Sequence, residues 1–258
     1  MSRSRYLICT LAVLLAAGRA SAADLQPQTA SAYRAYLDEA RAMFRQRVAQ
    51  ETAPDPRERT SVLFARPARR DGIIPVAGGL IHHWIGAAFI PGVTLQRALR
   101  VSMAYNSFST MYKEVLASRE LEREGNRYRV SMRLKEEGAG ISAVVDITST
   151  VDYEYPSPHT AIALSTSDEI RQVVNAGGSD ERLLPAGHDS GYLWRADTFS
   201  YLADTGAGVY VETETLGLSR PFPPMLAWLI KPIARRLGRK SVETSLLEFA
   251  DAVRRGGP

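Results

Sequence analysis

The sequence predicts an α+β domain in which one antiparallel sheet is flanked by a helix at each end of the chain. Three observations predict it. SAYRAYLDEARAMFRQRVAQ (31–50) carries apolar residues at helical spacing. From Leu80 to Leu218 the runs become strand-like, several with a strict period of two. The last stretch, SVETSLLEFADAVRR, places Val242, Leu246, Phe249, Ala250 and Val253 on one helical face.

The chain opens with MSRSRYLICTLAVLLAAGRASAA, which reads as a secretory signal peptide over 1–23. Arg3 and Arg5 give the basic start, Leu7 to Ala17 the apolar stretch, and Ala20-Ser21-Ala22 the cleavage motif. The apolar stretch is too short to span a bilayer. The expected location is therefore exported, periplasmic or secreted. About 235 residues remain, enough for one domain with a large core. Losing Arg3, Arg5 and Arg19 lowers the formal charge from +4 to +1. That leaves little charge for nucleic-acid binding. Cys9, the only cysteine, lies within the signal. Thiol chemistry, disulfides and cysteine-based metal sites are excluded from the mature chain.

In the 31–50 helix, Tyr33, Tyr36, Leu37, Ala40, Met43, Phe44 and Val48 form the apolar stripe. Residues 51–79, with Pro54, Pro56, Pro67 and Pro75, read as an irregular connector ending in a turn. LIHHWIGAAFI (80–90) is strand-like and stops at Pro91-Gly92. TLQRALRVSMAY looks helical, with Thr94 as N-cap. VLASRELEREGNRYRVSMRLK is a hairpin about a Gly-Asn turn at 125–126. Its second half alternates Tyr128, Val130, Met132 and Leu134 with basic and serine residues, as a half-buried strand requires. Residues 141–155 repeat that pattern, and 160–174 form a further strand. Residues 191–218 form a hairpin around Asp204–Gly206. Pro232 and Gly238 are expected to divide the closing stretch into two helices.

This order resembles the START-like helix-grip superfamily, also called SRPBCC or Bet v 1-like and related to polyketide cyclases. "IHHWIGAAFIPG" (81–92), "GYLWRADTFSYL" (191–202), "GVYVETETLGLSRPFP" (208–223) and "SVETSLLEFADAVR" (241–254) are similar to its exported bacterial branch. The resemblance implies a curved antiparallel sheet wrapped around a C-terminal helix, with a hydrophobic cavity between them. It divides the chain into a signal peptide (1–23), an N-terminal helix and connector (24–78) and a START-like ligand-binding domain (79–255). The superfamily includes lipid carriers, hormone receptors, oxygenase subunits and polyketide cyclases. It implies an apolar ligand and no particular chemistry.

His82 and His83 are adjacent on a strand, so they point to opposite faces and cannot chelate one metal together. His159 and His188 lie far off, and no metal motif is present. The even face of the strand carries Leu80, His82, Trp84, Gly86 and Ala88, and the odd face Ile81, His83, Ile85, Ala87 and Phe89. Both are apolar, so composition leaves the parity open. We favour the even face as the cavity side: Trp84 can form a wall, while Gly86 and Ala88 leave room. The 31–50 helix would then cover the odd face.

The expected cavity wall is His82, Trp84, Val130, Met132, Val145, Ile147, Trp194, Val211, Thr213, Leu246 and Phe249, with Thr213 and His82 as polar contacts. Arg195, Asp197, Glu212 and Glu214 share the other face of the last hairpin, with Asp197 expected opposite Glu214. They read as a solvated network or, if turned inward, as a polar anchor. Trp228, Lys231, Arg235 and Arg236 combine apolar and basic groups, which suits a solvated helix face or a membrane surface. His188-Asp189-Ser190 is a loop: three consecutive residues cannot converge on one reacting atom. The best reading is a carrier of a lipid or other hydrophobic small molecule, with no cofactor, metal or nucleic acid. A cyclase, dehydratase or hydrolase in the same cavity is the alternative, and an envelope interaction module using the 31–79 extension is a third. Ligand identity and oligomeric state have no signal in the sequence.

Overall fold

The computed structural model describes residues 23–50, 64–69, 71–138 and 141–257. The expected signal peptide up to Ala22 and connector residues 51–63 lie outside the described residues. Twelve strands and four α-helices are described. They run β1 (Ala23–Asp24), α1 (Pro27–Gln50), β2 (Phe64–Pro67), β3 (Ile73–Val76), β4 (Gly79–Pro91), α2 (Leu95–Ser102), α3 (Phe108–Met111) and β5 (Val115–Glu124). Then follow β6 (Arg127–Gly138), β7 (Ile141–Ser157), β8 (Thr160–Val174), β9 (Arg182–Leu183), β10 (His188–Asp189), β11 (Arg195–Asp204), β12 (Gly208–Ser219) and α4 (Ala227–Arg255).

The main sheet is antiparallel in the order β2-β4-β12-β11-β8-β7-β6-β5, with β3 also on β4 and β9 on β8. β1 and β10 form a small separate ladder. The connector thus contributes two strands where an irregular segment was expected. Strand β4 offers free backbone groups along that edge, and pairing satisfies them better than a loop could.

The pairs Trp84↔Thr215 and Thr215↔Thr198 carry one face across β4, β12 and β11. Thr198↔Ser165 and Ser165↔Val151 carry it on to β8 and β7. On this side α4 packs chiefly over β4 and β2, and α2 closes one end. Trp84, Ala88, Ile90, Val211, Val242, Leu246 and Phe249 share one core there. α1 packs on the opposite side, with Tyr33, Leu37, Ala40 and Phe44 buried against Ile81, Phe199, Leu216 and Leu218. Met43, expected on that stripe, is instead exposed beside Arg69. This is a helix-grip fold with an added helix on the convex face.

The closing stretch is one helix where two were expected. Pro232 is its sixth residue and forfeits a single backbone hydrogen bond, to Trp228. Gly238 is a contact point rather than a break. A Cβ there would lie 2.4 Å from Trp84 Nε1, and one at Gly72 would lie 2.7 Å from the same indole. The two glycines let two segments of the chain approach the Trp84 indole closely.

Candidate ligand-binding face

The concave face has apolar ends and a hydroxyl-rich middle. Near α2, Tyr105, Tyr128, Val130, Val151 and Tyr153 pack together, with Met132 at their margin. Tyr105 and Tyr153 hydroxyls are 2.9 Å apart, and Tyr153 donates to the Ser102 carbonyl at 3.0 Å. Val145, Ile147 and Ile170 pack with Leu134, Leu193 and Ala196 elsewhere on this face. Between these clusters lie Ser149, Ser165, Thr198, Ser200, Thr213 and Thr215, all on the concave side by register. Ser165, Thr198, Ser200 and Thr215 are only half-buried, although β8, β11 and β12 are central strands. Their odd-numbered β11 neighbours Asp197, Phe199 and Tyr201, on the convex side, are fully buried under α1. From Ala196 to Ala203 of β11 the residual exposure therefore lies on the concave side.

His82 and His83 point to opposite faces. His82 lies on the concave side at one end, half-buried, with Nε2 2.8 Å from Ser219 Oγ and Phe222 beside its ring. Burial pulls its pKa down to about 4, so the imidazole is neutral near pH 7. His83 is 3% exposed on the convex side. Its Nδ1 lies 2.8 Å from the Tyr36 hydroxyl and its Nε2 2.5 Å from Glu214 Oε1.

The charge cluster is not turned into the concavity. Asp197, Glu212 and Glu214 are buried beneath α1, while Arg195 stays half-buried and donates to the Trp194 carbonyl at 2.8 Å. Arg47 reaches down to Glu212 Oε1 and Glu214 Oε2, both at 2.7 Å. Burial alone would raise the Glu214 carboxyl. Hydrogen bonds from His83 and Arg47, with their charges, outweigh it and leave Glu214 below the usual range. Asp197 accepts from Tyr33 at 2.6 Å and from the Ser167 amide at 3.3 Å. Burial dominates there and raises the Asp197 carboxyl.

The hairpin register also differs from expectation by two residues. Glu214 sits opposite Phe199, and Asp197 opposite Leu216. The loop is Thr205–Ala207, one residue further along than expected, with Gly206 at φ +77°, and Asp204 pairs with Val209. A two-residue shift keeps each side chain on its face but changes its partner. Arg195 thus has no place beside Glu214, and Arg47 takes that role. Nothing in the sequence linked Arg47, Tyr36 or Tyr33 to this hairpin, because those contacts cross more than 160 residues or depend on how α1 docks.

Of the expected wall, Trp84, Val130, Met132, Val145, Ile147, Val211, Thr213, Leu246 and Phe249 lie on the concave side, in three clusters and the hydroxyl floor. Trp194 does not. It precedes β11, where alternation has not begun, and its amide donates to the Leu218 carbonyl at 2.7 Å. Its indole joins the α1 layer with Tyr33, Ile81 and Leu218. The floor residues Ser149, Ser165, Ser200 and Thr215 escaped notice because serine and threonine on strands read as solvent-facing.

Two clefts of about 350 and 410 Å³ open near α3 and near the start of α2. They are surface features away from the hydroxyl floor. On α4, Lys231 Nζ lies 2.9 Å from Asp71 Oδ2, and Arg235 pairs with the same carboxylate. Trp228 and Arg236 are exposed. Among the described residues no group of three or more histidine, cysteine or acidic side chains is placed to hold a metal. No described helix is long and apolar enough to cross a membrane.

No protein-family model matches the chain, and no curated protein matches it either. Solved structures do. A Thermus thermophilus protein is 16% identical with a TM-score of 0.48, over 67% of this chain and 98% of that one. A STAR-related lipid transfer protein from Xanthomonas axonopodis is also 16% identical, with a TM-score of 0.48, over 71% of this chain and 99% of that one. A Streptomyces aromatase/cyclase is 9% identical, with a TM-score of 0.45, over 68% and 94%.

Proposed function

We propose that this chain is an exported carrier. It holds a lipid or other hydrophobic small molecule on the concave face, between the sheet and α4. The carrying observation is that Ser165, Thr198, Ser200 and Thr215 in the middle of this face are half-buried, while Asp197, Phe199, Tyr201, Glu212 and Glu214 on the convex side of β11 and β12 are buried. Apolar walls on either side would supply binding by burial, at about 25 cal/mol per Å². The export signal and the START-like neighbours support the same reading.

Native mass spectrometry with lipid extraction tests it, on protein purified from its own compartment. The expected result is a co-purifying apolar molecule that competes with a fluorescent fatty acid. A protein that arrives empty and takes up no fatty acid at micromolar concentration overturns the reading.

A peripheral membrane contact accompanies the carrier reading. Met225 and Trp228 are 88% and 75% exposed, and Arg236 and Lys240 are exposed further along α4. Such a surface suits an anionic bilayer. The enzyme alternative keeps only His82 among its acid and base candidates, because Arg195, Asp197, Glu212 and Glu214 are on the convex side. The interaction-module alternative needs a free extension, whereas α1 seals one face of the sheet.

A further inference from the structure

The hydroxyl floor bears on what kind of molecule the concave face takes. Six hydroxyls, from Ser149, Ser165, Thr198, Ser200, Thr213 and Thr215, sit on one face of four adjacent strands. Ser200 and Thr213 are 3.2 Å apart and satisfy each other. The strand backbone around them is already paired, so it offers the other hydroxyls few local partners. Apolar clusters flank the floor. A pure hydrocarbon laid across it would strip water from these hydroxyls and return nothing. A ligand with oxygens along its body would meet them.

We infer that the concave face selects an apolar molecule that carries hydroxyl or carbonyl groups along its body, not only at one end. This rests on the carrier reading and names its ligand class. The apolar clusters bind the hydrocarbon parts. The floor reads the oxygens between them, by the logic that makes a site built for a hydroxyl reject its deoxy analogue.

The test compares two probes, 12-hydroxystearate and stearate, by displacement of a fluorescent fatty acid from the full mature chain. Both probes have the same length and the same carboxylate. The hydroxylated probe is expected to bind at least about tenfold more tightly. The double variant Ser165→Ala/Thr198→Val, which removes two facing hydroxyls outside the Ser200–Thr213 pair, should bring the two affinities to within about twofold, with stearate binding kept. Equal affinities in the unaltered chain overturn the inference and leave the carrier reading standing. If neither probe binds, the carrier reading falls and this inference with it. The comparison in the unaltered chain decides the matter even if the double variant fails to fold.

Discussion

The two faces of the sheet treat polar groups in opposite ways. On the convex side, Tyr36, His83, Glu214, Arg47 and Glu212 form a continuous network in which each charged group has a named partner. In the middle of the concave side the polar groups are neutral hydroxyls, several of them half-buried. The contrast separates structure from recognition. Buried charges persist only when the protein itself satisfies them, so they hold α1 to the sheet. Neutral hydroxyls cost less to leave wet, so they can wait for a ligand.

Breaking the convex network should give the largest effect. Glu214→Ala leaves His83 and Arg47 facing each other without the carboxylate between them, and should cost about 3 kcal/mol in urea unfolding. Ligand affinity per folded molecule should not change. A loss below about 0.5 kcal/mol would mean that this side does not secure the fold.

Next comes the seam that joins α4 to the concave side. Gly238→Val puts side-chain atoms where the Trp84 indole stands, 2.4 Å from the site of the new Cβ. The helix must lift, at a cost of about 1–3 kcal/mol. Faster exchange of a bound fluorescent fatty acid should accompany the loss. Unchanged exchange would show that α4 does not gate the face.

How far the sequence disclosed these faces follows from their physics. Alternation and turn residues were enough to place β4 through β8, the 125–126 turn and the Thr94 cap, since these depend on near neighbours. Thr94 Oγ1 does accept the Arg97 amide at 3.3 Å. Strand parity alone sets His82 and His83 on opposite faces. The hairpin register does not emerge, because nothing in the pattern tells a loop at 204–206 from one at 205–207. Trp194 escapes the pattern because the alternation of β11 begins only at Arg195. Arg47 was invisible, since pairing between a helix and a distant strand leaves no periodic trace.

Acid should separate the faces further. The His82 pKa falls from 6.5 in the unfolded chain to about 4 in the folded one. Between those values the unfolded chain binds the extra proton, so stability present above pH 6.5 is lost as pH falls toward 4. The ring is half-buried, so the loss is about 1–2 kcal/mol, short of the full conversion of the shift. His82→Gln should remove it. Glu214 has a depressed pKa and loses its contribution at still lower pH, equally in both proteins. Melting curves of the unaltered chain and His82→Gln should therefore diverge between pH 7 and 4.5. Parallel curves would mean that His82 meets water as freely when folded as when unfolded.

The smallest stability effect should come from the exposed start of α4. Met225 and Trp228 are 88% and 75% exposed, so Met225→Ser/Trp228→Ser should shift unfolding by less than about 0.5 kcal/mol. Its value lies in the mismatch with a second readout. Sedimentation with vesicles of mixed neutral and anionic lipid should fall severalfold in the variant, and salt should weaken binding of the unaltered chain. Lys231 and Arg235 share Asp71, so their charge is partly spent within the fold. Asp71→Asn should then free them and strengthen vesicle binding. If binding instead stays constant in both variants, the apolar and basic start of α4 is a solvated helix face, and the ligand must reach the concave side without a membrane.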